Sequence, residues 1–324
     1  MGEGNEMRRS RIGYALVLTA GLTGPIMLSG CGADEAAGPQ TTTAPETTAT
    51  QGIPTTARTA SPPTTPRPVP ETGPEPGFDR TAFSHSATVD NKFFPLRPGM
   101  RLSYRGQTIE DGERLTRSVI FIVTDLTKVI DGVRTRVVWE RDLKAGALDE
   151  AELAFFAQAD DGTVWHFGEY PEVFEEGKVV ETPAWIHGQK GARAGIAMKA
   201  QPKLKERSYA QGWGPAVGWA DRARIHQVGQ RTCVPTGCFS GVIVTDEYNL
   251  TEPGAHQLKY FAAGVGNVRV GYFGNDPNKE TLELTSAAPL SRAGLAEARA
   301  EALKMEKGAY VRSKDVYAKT APMN

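Results

Sequence analysis

Residues 118–124 read SVIFIVT, and seven residues further on an Asp131-Gly132 pair interrupts the apolar pattern. A run that is apolar on both faces and rich in β-branched side chains fits a covered strand. Asp-Gly tolerates the positive φ angles of a tight hairpin, so 124–130 is expected to lead into 133–142 as an antiparallel partner. A second hairpin is expected at Asp160-Asp161-Gly162. The strand after it, 164–169, puts Trp165, Phe167 and Glu169 on one face and Val164, His166 and Gly168 on the other, which sets a carboxylate among aromatics. Before it, Ala151, Leu153, Phe155 and Ala157 alternate within 147–159; helix propensity competes there, and the period of two favours a strand. Further strands are expected at 102–106, 222–230, 239–248, 257–262, 267–273 and 280–285. The expected fold is mainly β, an antiparallel meander or curved half-barrel sheet. Residues 185–200 (WIHGQKGARAGIAMKA) follow neither period and carry Gly188, Gly191 and Gly195. They are expected to leave the sheet as a long Gly-rich loop, either a binding loop or lid or a packed cap. One C-terminal helix is expected, with Leu295, Ala298, Ala302 and Met305 on its apolar stripe, starting after Ser291 and ending at Gly308.

The first quarter of the chain has a different character. Arg8, Arg9 and Arg11 precede an apolar run over 12–28 that is broken by Gly21, Gly24 and Pro25, the pattern of a secretory signal. Leu28-Ser29-Gly30-Cys31 then resembles the bacterial lipobox, in which the cysteine thiol is lipidated and the chain is cut just before it. Residues 39–76 are rich in Thr and Pro and have almost nothing apolar to bury, so they cannot form a core. Extended at ~3.1 Å per residue, they reach up to roughly 100 Å. Thr/Pro runs are also O-glycosylation substrates in some exported proteins, and the sequence leaves modification of this one open. The expected organisation is a signal peptide over 1–30, a lipidated cysteine and tether over 31–77, a β domain over 78–290, and a C-terminal helix and tail over 291–324. The expected location is the cell envelope, exported and lipid-anchored to the outer face of the cytoplasmic membrane through Cys31. At ~0.8 kcal/mol per buried methylene, two or three acyl chains hold such a protein firmly.

Chemistry-bearing motifs are sparse. Lys+Arg number 37 against 38 Asp+Glu, so no global field steers the chain to nucleic acid, and no nucleic-acid partner is expected. Cys233 and Cys238 flank Val-Pro-Thr-Gly, a turn that brings two cross-strand positions within disulfide reach in an oxidising compartment. The five histidines (85, 166, 187, 226 and 256) have no metal-ligand spacing, and neither metal nor cofactor is expected. Nucleophile-elbow, phosphate-loop and dinucleotide signatures are absent from the sequence. The aromatics Trp165, Phe167, Trp185, Tyr209, Trp213, Trp219 and Tyr260 are read as core fillers or as the wall of a cavity closed by the 185–200 loop. Candidate ligand-binding residues are Trp165, Glu169, Trp185, Met198, Tyr209 and Tyr260. The leading expectation is a non-enzymatic module that binds an apolar small molecule or a cell-envelope component. One alternative is a hydrolase-type enzyme using Glu169 with His166 or His187, and another is a structural envelope protein.

Several short motifs together resemble a family of uncharacterised exported bacterial proteins and lipoproteins that share a domain of unknown function. They are Val89-Asp90-Asn91, Phe94-Pro95-Leu96 with Pro98-Gly99, Ile130-Asp131-Gly132-Val133, Gly162-Thr163-Val164-Trp165, Phe167-Gly168-Glu169 and Lys259-Tyr260-Phe261-Ala262 before Gly264-Val265-Gly266. The resemblance spans approximately 89–284. It implies an all-β or β-dominated domain and no established reaction. His166, Ala194 and Gly212 depart from the family pattern, where tyrosine, proline and an acidic residue are expected.

Overall fold

The computed structural model describes residues 76–250 and 252–324. The signal-like segment, Cys31 and the tether up to residue 75 lie outside the described residues. The chain begins its sheet with four long strands, β1 (Met100–Glu110), β2 (Glu113–Ile130), β3 (Val133–Lys144) and β4 (Ala147–Gln158). β5 (Val164–Glu175) follows, then the short β6 (Lys178–Glu181), β7 (Trp185–Ile186), β8 (Arg193–Met198), β9 (Tyr209–Ala210) and β10 (Gly212–Trp213). The second half is β11 (Asp221–Val234), β12 (Gly237–Asn249), β13 (Ala255–Ala262), β14 (Gly266–Gly274) and β15 (Thr281–Pro289), with one helix, α1 (Arg292–Arg312), after it.

Two-residue turns drive the meander. Asp131 and Gly132 have φ of 47° and 81°, and Asp111-Gly112, Ala145-Gly146 and Glu176-Gly177 repeat that pair of left-handed conformations. This geometry matches the twist of the flanking strands, so each strand folds straight back on the last. At the far tip, Cys233 and Cys238 are cross-strand partners on β11 and β12 and are disulfide-bonded.

The sheet runs β10-β8-β5-β4-β3-β2-β1-β15-β14-β13-β12-β11-β9, antiparallel throughout. β1 pairs with both β2 and β15, which joins the two halves of the meander. The sheet is not closed by a continuous ladder. Its two ends, β9 and β10, are nevertheless separated only by Gln211. Tyr209 and Ala210 pair with β11 while Gly212 and Trp213 pair with β8, so one five-residue segment serves both edges and the sheet must curl to meet it.

Curling gives the sheet two different faces. The inner face gathers Leu102, Tyr104, Val119, Phe121, Val138, Phe156, Val164, Met198, Val242, Phe261 and Leu282 into one cluster. On the outer face Trp139, Leu153, Phe155, Trp165, Phe167 and Tyr170 pack with Ala298, Ala302, Met305 and Ala309 of α1. The Ser291 hydroxyl caps α1 by accepting from Gly294 N at 3.1 Å. Lys128, fully buried under the helix, donates to Glu306 at 3.1 Å and to the Ala321 carbonyl at 2.6 Å, pinning the C-terminal tail.

Three expectations are corrected. Residues 185–198 do not leave the sheet, because β7 and β8 both pair with β5; the turn between them and residues 199–200 are irregular. The helix does not stop at Gly308 but runs to Arg312. There the missing side chain leaves room for the Arg312 guanidinium, which donates to Glu172 at 2.7 Å; a Cβ on Gly308 would lie 2.2 Å from Arg312 Nη1. Glu169 does not share a face with Trp165 and Phe167. Phe156 pairs with His166 and Phe155 with Gly168, so Phe167 is one residue in excess and forms a β-bulge. Gly168 takes φ of 137° at this point, and every residue after it changes face.

The closure depends on close backbone approach at Gly195, where an added Cβ would lie 2.2 Å from Gly212 N and 2.3 Å from Gln211 C. Gly195→Ala is expected to destabilise the domain by about 2–3 kcal/mol, read as a lower urea midpoint. Gly271→Ala, whose new methyl would meet only Tyr260 at 3.9 Å, is the control expected to stay near wild type.

Candidate binding interior

Two spaces open on the inner face, with different chemistry. The first is a mouth of about 500 Å³ of empty space, part of it continuous with solvent, lined by Phe94, Leu96, Leu102, Tyr104, Phe121 and Phe261. Its enclosed part has room for only about two or three water molecules. Tyr104 donates its hydroxyl to the Asn267 carbonyl at 2.8 Å, so this polar atom is satisfied within the wall. Lys259 and Glu247 also line the mouth and form a buried ion pair at 2.8 Å.

The second region is a bank of carboxyl groups. In the β3–β4 ladder Glu140 stands directly opposite Glu152, and Asp142 opposite Glu150. Like charges at such positions repel, and these side chains are buried as well. The bulge adds Glu169 to the bank: it pairs with Ala154, one ladder step beyond Glu152 on the same face. Arg117 of β2 answers part of this charge through ion pairs with Asp142 and Glu280. Burial, reinforced by the neighbouring Asp142 and Glu169 charges, pushes Glu150 well above the usual carboxylate range. Glu152 is pushed up in the same way by burial and then by Glu169 and Glu150. Burial also raises Glu169 to about 7, opposed by the Trp185 indole and by Lys259. The Trp185 N–H is near enough to act on that carboxyl, but it does not close a hydrogen bond of ordinary geometry. Glu280 is raised by burial to about 7 against the pull of Arg117, and Asp221 is raised well above its usual range.

Aromatic rings wall this bank. Trp185 and Trp219 stack at 4.4 Å with 18° between their planes. His166 lies parallel to Phe156 at 4.8 Å and edge-on to Trp185 at 4.9 Å. Its burial lowers it to about 3, so it stays neutral, and its Nε2 is 3.8 Å from Glu169 Oε2. A general base works best when poised near the operating pH, and this imidazole is far from it. His187 belongs to the outer face: its ring packs 4.4 Å from that of Phe78 and 5.7 Å from Phe167, and its Nε2 is 3.4 Å from Asp131.

The sequence-derived candidates therefore separate. Glu169 and Trp185 adjoin one another, and Met198 and Tyr209 share the inner face with them. Trp165 sits on the outer face against Phe78 and Phe83, and Tyr260 is half-buried beneath the Arg269 guanidinium at 5.4 Å. Glu140, Asp142, Glu150, Glu152 and Glu247 were not singled out from the sequence, and Lys259 only as part of the Lys259-Tyr260-Phe261-Ala262 motif. The signal available was the i, i+2 repetition of acids at 140/142 and 150/152 on two strands facing each other across a two-residue turn.

The carboxyl bank has a direct consequence for stability. Glu169 and Glu280 rise from 4.5 to about 7 on folding, so the folded chain holds more protons than the unfolded chain between those values. Their contribution is fully present below pH about 4.5 and is lost as pH rises through about 7. The other titratable groups on this face are Arg117, Glu140, Asp142, Glu150, Glu152, His166, Asp221, Glu247 and Lys259. The thermal midpoint is expected to be several degrees higher at pH 5.5 than at pH 7.5, at about 2–4 °C per kcal/mol for a domain of this size. Glu169→Gln is expected to flatten that dependence, as followed by circular dichroism.

No protein-family model and no curated protein matches the chain. Two solved structures align with 61% of this chain and 99% of their own length. One is a "putative exported protein with YmcC-like fold" from Bacteroides fragilis, at 12% identity and a TM-score of 0.36. The other is a "putative lipoprotein" from Parabacteroides distasonis, at 10% identity and a TM-score of 0.34.

Proposed function

We propose that this chain is a lipid-anchored protein of the cell envelope that works as a non-enzymatic binding module and takes the narrow apolar end of an amphiphile into the mouth of its curled sheet. The observation that carries the reading is a space lined by Phe94, Leu96, Leu102, Phe121 and Phe261 together with a buried Lys259–Glu247 pair. An apolar wall with a few fixed polar groups is the usual composition of a small-molecule site. The enclosed depth suits an alkyl chain end better than a fused ring. Anchoring rests on the basic, apolar and Leu-Ser-Gly-Cys succession that ends at Cys31. Among the described residues no helix is long and apolar enough to cross a membrane.

Two measurements test it. Expressed in a bacterial host, the wild type is expected in the membrane fraction and Cys31→Ala in the soluble fraction; a Cys31→Ala protein that stays fully membrane-bound would remove the anchor. Phe94 lines the mouth and packs 5.3 Å from the Phe156 ring, so Phe94→Trp places a fluorophore there. Medium-chain fatty acids or lysophospholipids are expected to give a saturable blue shift of that fluorophore. A flat response to both, with no ligand retained on native mass spectrometry, contradicts the binding role.

A further inference from the structure

The mouth leaves the carboxyl bank unused. A second space of about 320 Å³, partly open, is lined by Glu150, Glu152, Glu169, Pro171, Val217 and Trp219, and shares no lining residue with the mouth. The three carboxyl groups are exposed by only 2%, 3% and 6%. Burying a carboxyl oxygen without a donor is costly, yet Glu150 Oε2 and Glu152 Oε1 meet no hydrogen-bond donor. Trp219, 4% exposed, buries an indole N–H that meets no acceptor. The nearest cations serve other partners: Arg117 holds Asp142 and Glu280, and Lys259 holds Glu247.

The unmet hydrogen-bonding capacity defines a ligand. Several acceptors on adjoining strands call for a group with several donors, and a primary ammonium offers three with no acceptor. Its charge also suits an aromatic wall. The single indole donor calls for one oxygen close to that ammonium. The enclosed part of the space holds about one or two water molecules, which admits an ammonium head but not a quaternary one. A metal ion fits less well: among the described residues no three metal-binding side chains stand close enough together to ligate one ion, whereas the longer N–H···O contacts of an ammonium, at ~2.8 Å, need less convergence than metal–oxygen bonds. We propose that this space binds the primary ammonium end of a small amino alcohol, held by Glu150, Glu152 and Glu169, with the Trp219 N–H donating to its oxygen. The ligand arrives as a cation and a protonated carboxyl ionises to receive it, so a proton leaves to solvent as each ligand binds. Glu140 and Asp142 of β3, Arg117 of β2, His166 of β5, Asp221 of β11, Glu247 of β12 and Lys259 of β13 are the other titratable groups on this face that bear on that exchange.

The test is a titration of the full-length protein in detergent with ethanolamine, followed by tryptophan fluorescence and by calorimetry in two buffers of different protonation heat. Saturable binding with release of about one proton per ligand is expected. Ethylamine, which lacks the oxygen, should bind several-fold more weakly, and choline and ethylene glycol should not compete. Glu152→Gln is expected to weaken binding roughly tenfold or more, while Glu113→Gln, an exposed carboxyl at the start of β2 outside the lining and the bank, leaves it unchanged. Val217→Phe fills the half-buried rim without altering charge and is expected to block binding, which keeps the test decisive if Glu152→Gln fails to fold. Glycerophosphoethanolamine distinguishes the source: binding of both compounds assigns a lipid headgroup, and binding of ethanolamine alone a free solute. No saturable response, an equal response to ethylene glycol, a proton count of zero, or undiminished binding in Val217→Phe overturns the assignment.

Discussion

The architecture depends on a short stretch of backbone that satisfies two sheet edges at once. An open sheet leaves rows of unpaired amides and carbonyls at its margins, which invite other chains to pair with them. Here Tyr209 and Ala210 hydrogen-bond to β11 while Gly212 and Trp213 hydrogen-bond to β8, which leaves little of either margin for another chain near this point. The arrangement needs backbone to approach backbone at Gly195, and it needs an empty position at Gly212, where a Cβ would sit 2.1 Å from the Trp219 ring. Small residues at the seam thus admit the large ones: the Trp185–Trp219 pair fits because the chain beside it has no side chain.

What the curl encloses is chemically uneven. Around β1, β2, β13 and β15 the inner face is apolar and tightly filled. Along β3, β4 and β5 it is lined with acids that the strand register holds facing one another. Replacing such buried charges by apolar residues is often neutral or stabilising in proteins, so the bank is not explained by stability alone. The outer face contrasts with it. There α1 lays alanines on the sheet, and a deeply buried cation, Lys128, sits 4.1 Å from the centre of the Tyr317 ring and is neutralised by Glu306.

Most strands were legible because their side chains alternate and their turns use residues that tolerate positive φ; Asp131-Gly132 marked its hairpin without ambiguity. The failures have specific physical origins. Sequence parity assigns faces, and the extra residue at Phe167 inverts parity without any compositional mark beyond Gly168, so Glu169 was placed among the wrong neighbours. β7 is two residues long, too short to show any period, and its pairing with β5 is set by tertiary contact. Glu140, Asp142, Glu150 and Glu152 each look like the polar face of a half-buried strand. Only the curl of the whole sheet, closed by residues far along the chain, turns that face inward. Gly308 resembled a helix terminator because local sequence does not reveal that Arg312 needs its vacant volume.

The parallel indoles at the seam have an optical consequence. Two identical chromophores held 4.4 Å apart at 18° share their excited states, and their transitions split into a pair of bands of opposite sign in the ultraviolet. Trp185 belongs to a strand on β5 and Trp219 to the bend between β10 and β11, so that couplet reports on the packing of the segment that serves both margins of the sheet. The domain therefore carries an intrinsic spectroscopic marker for the integrity of its seam, separate from the signal of its strands.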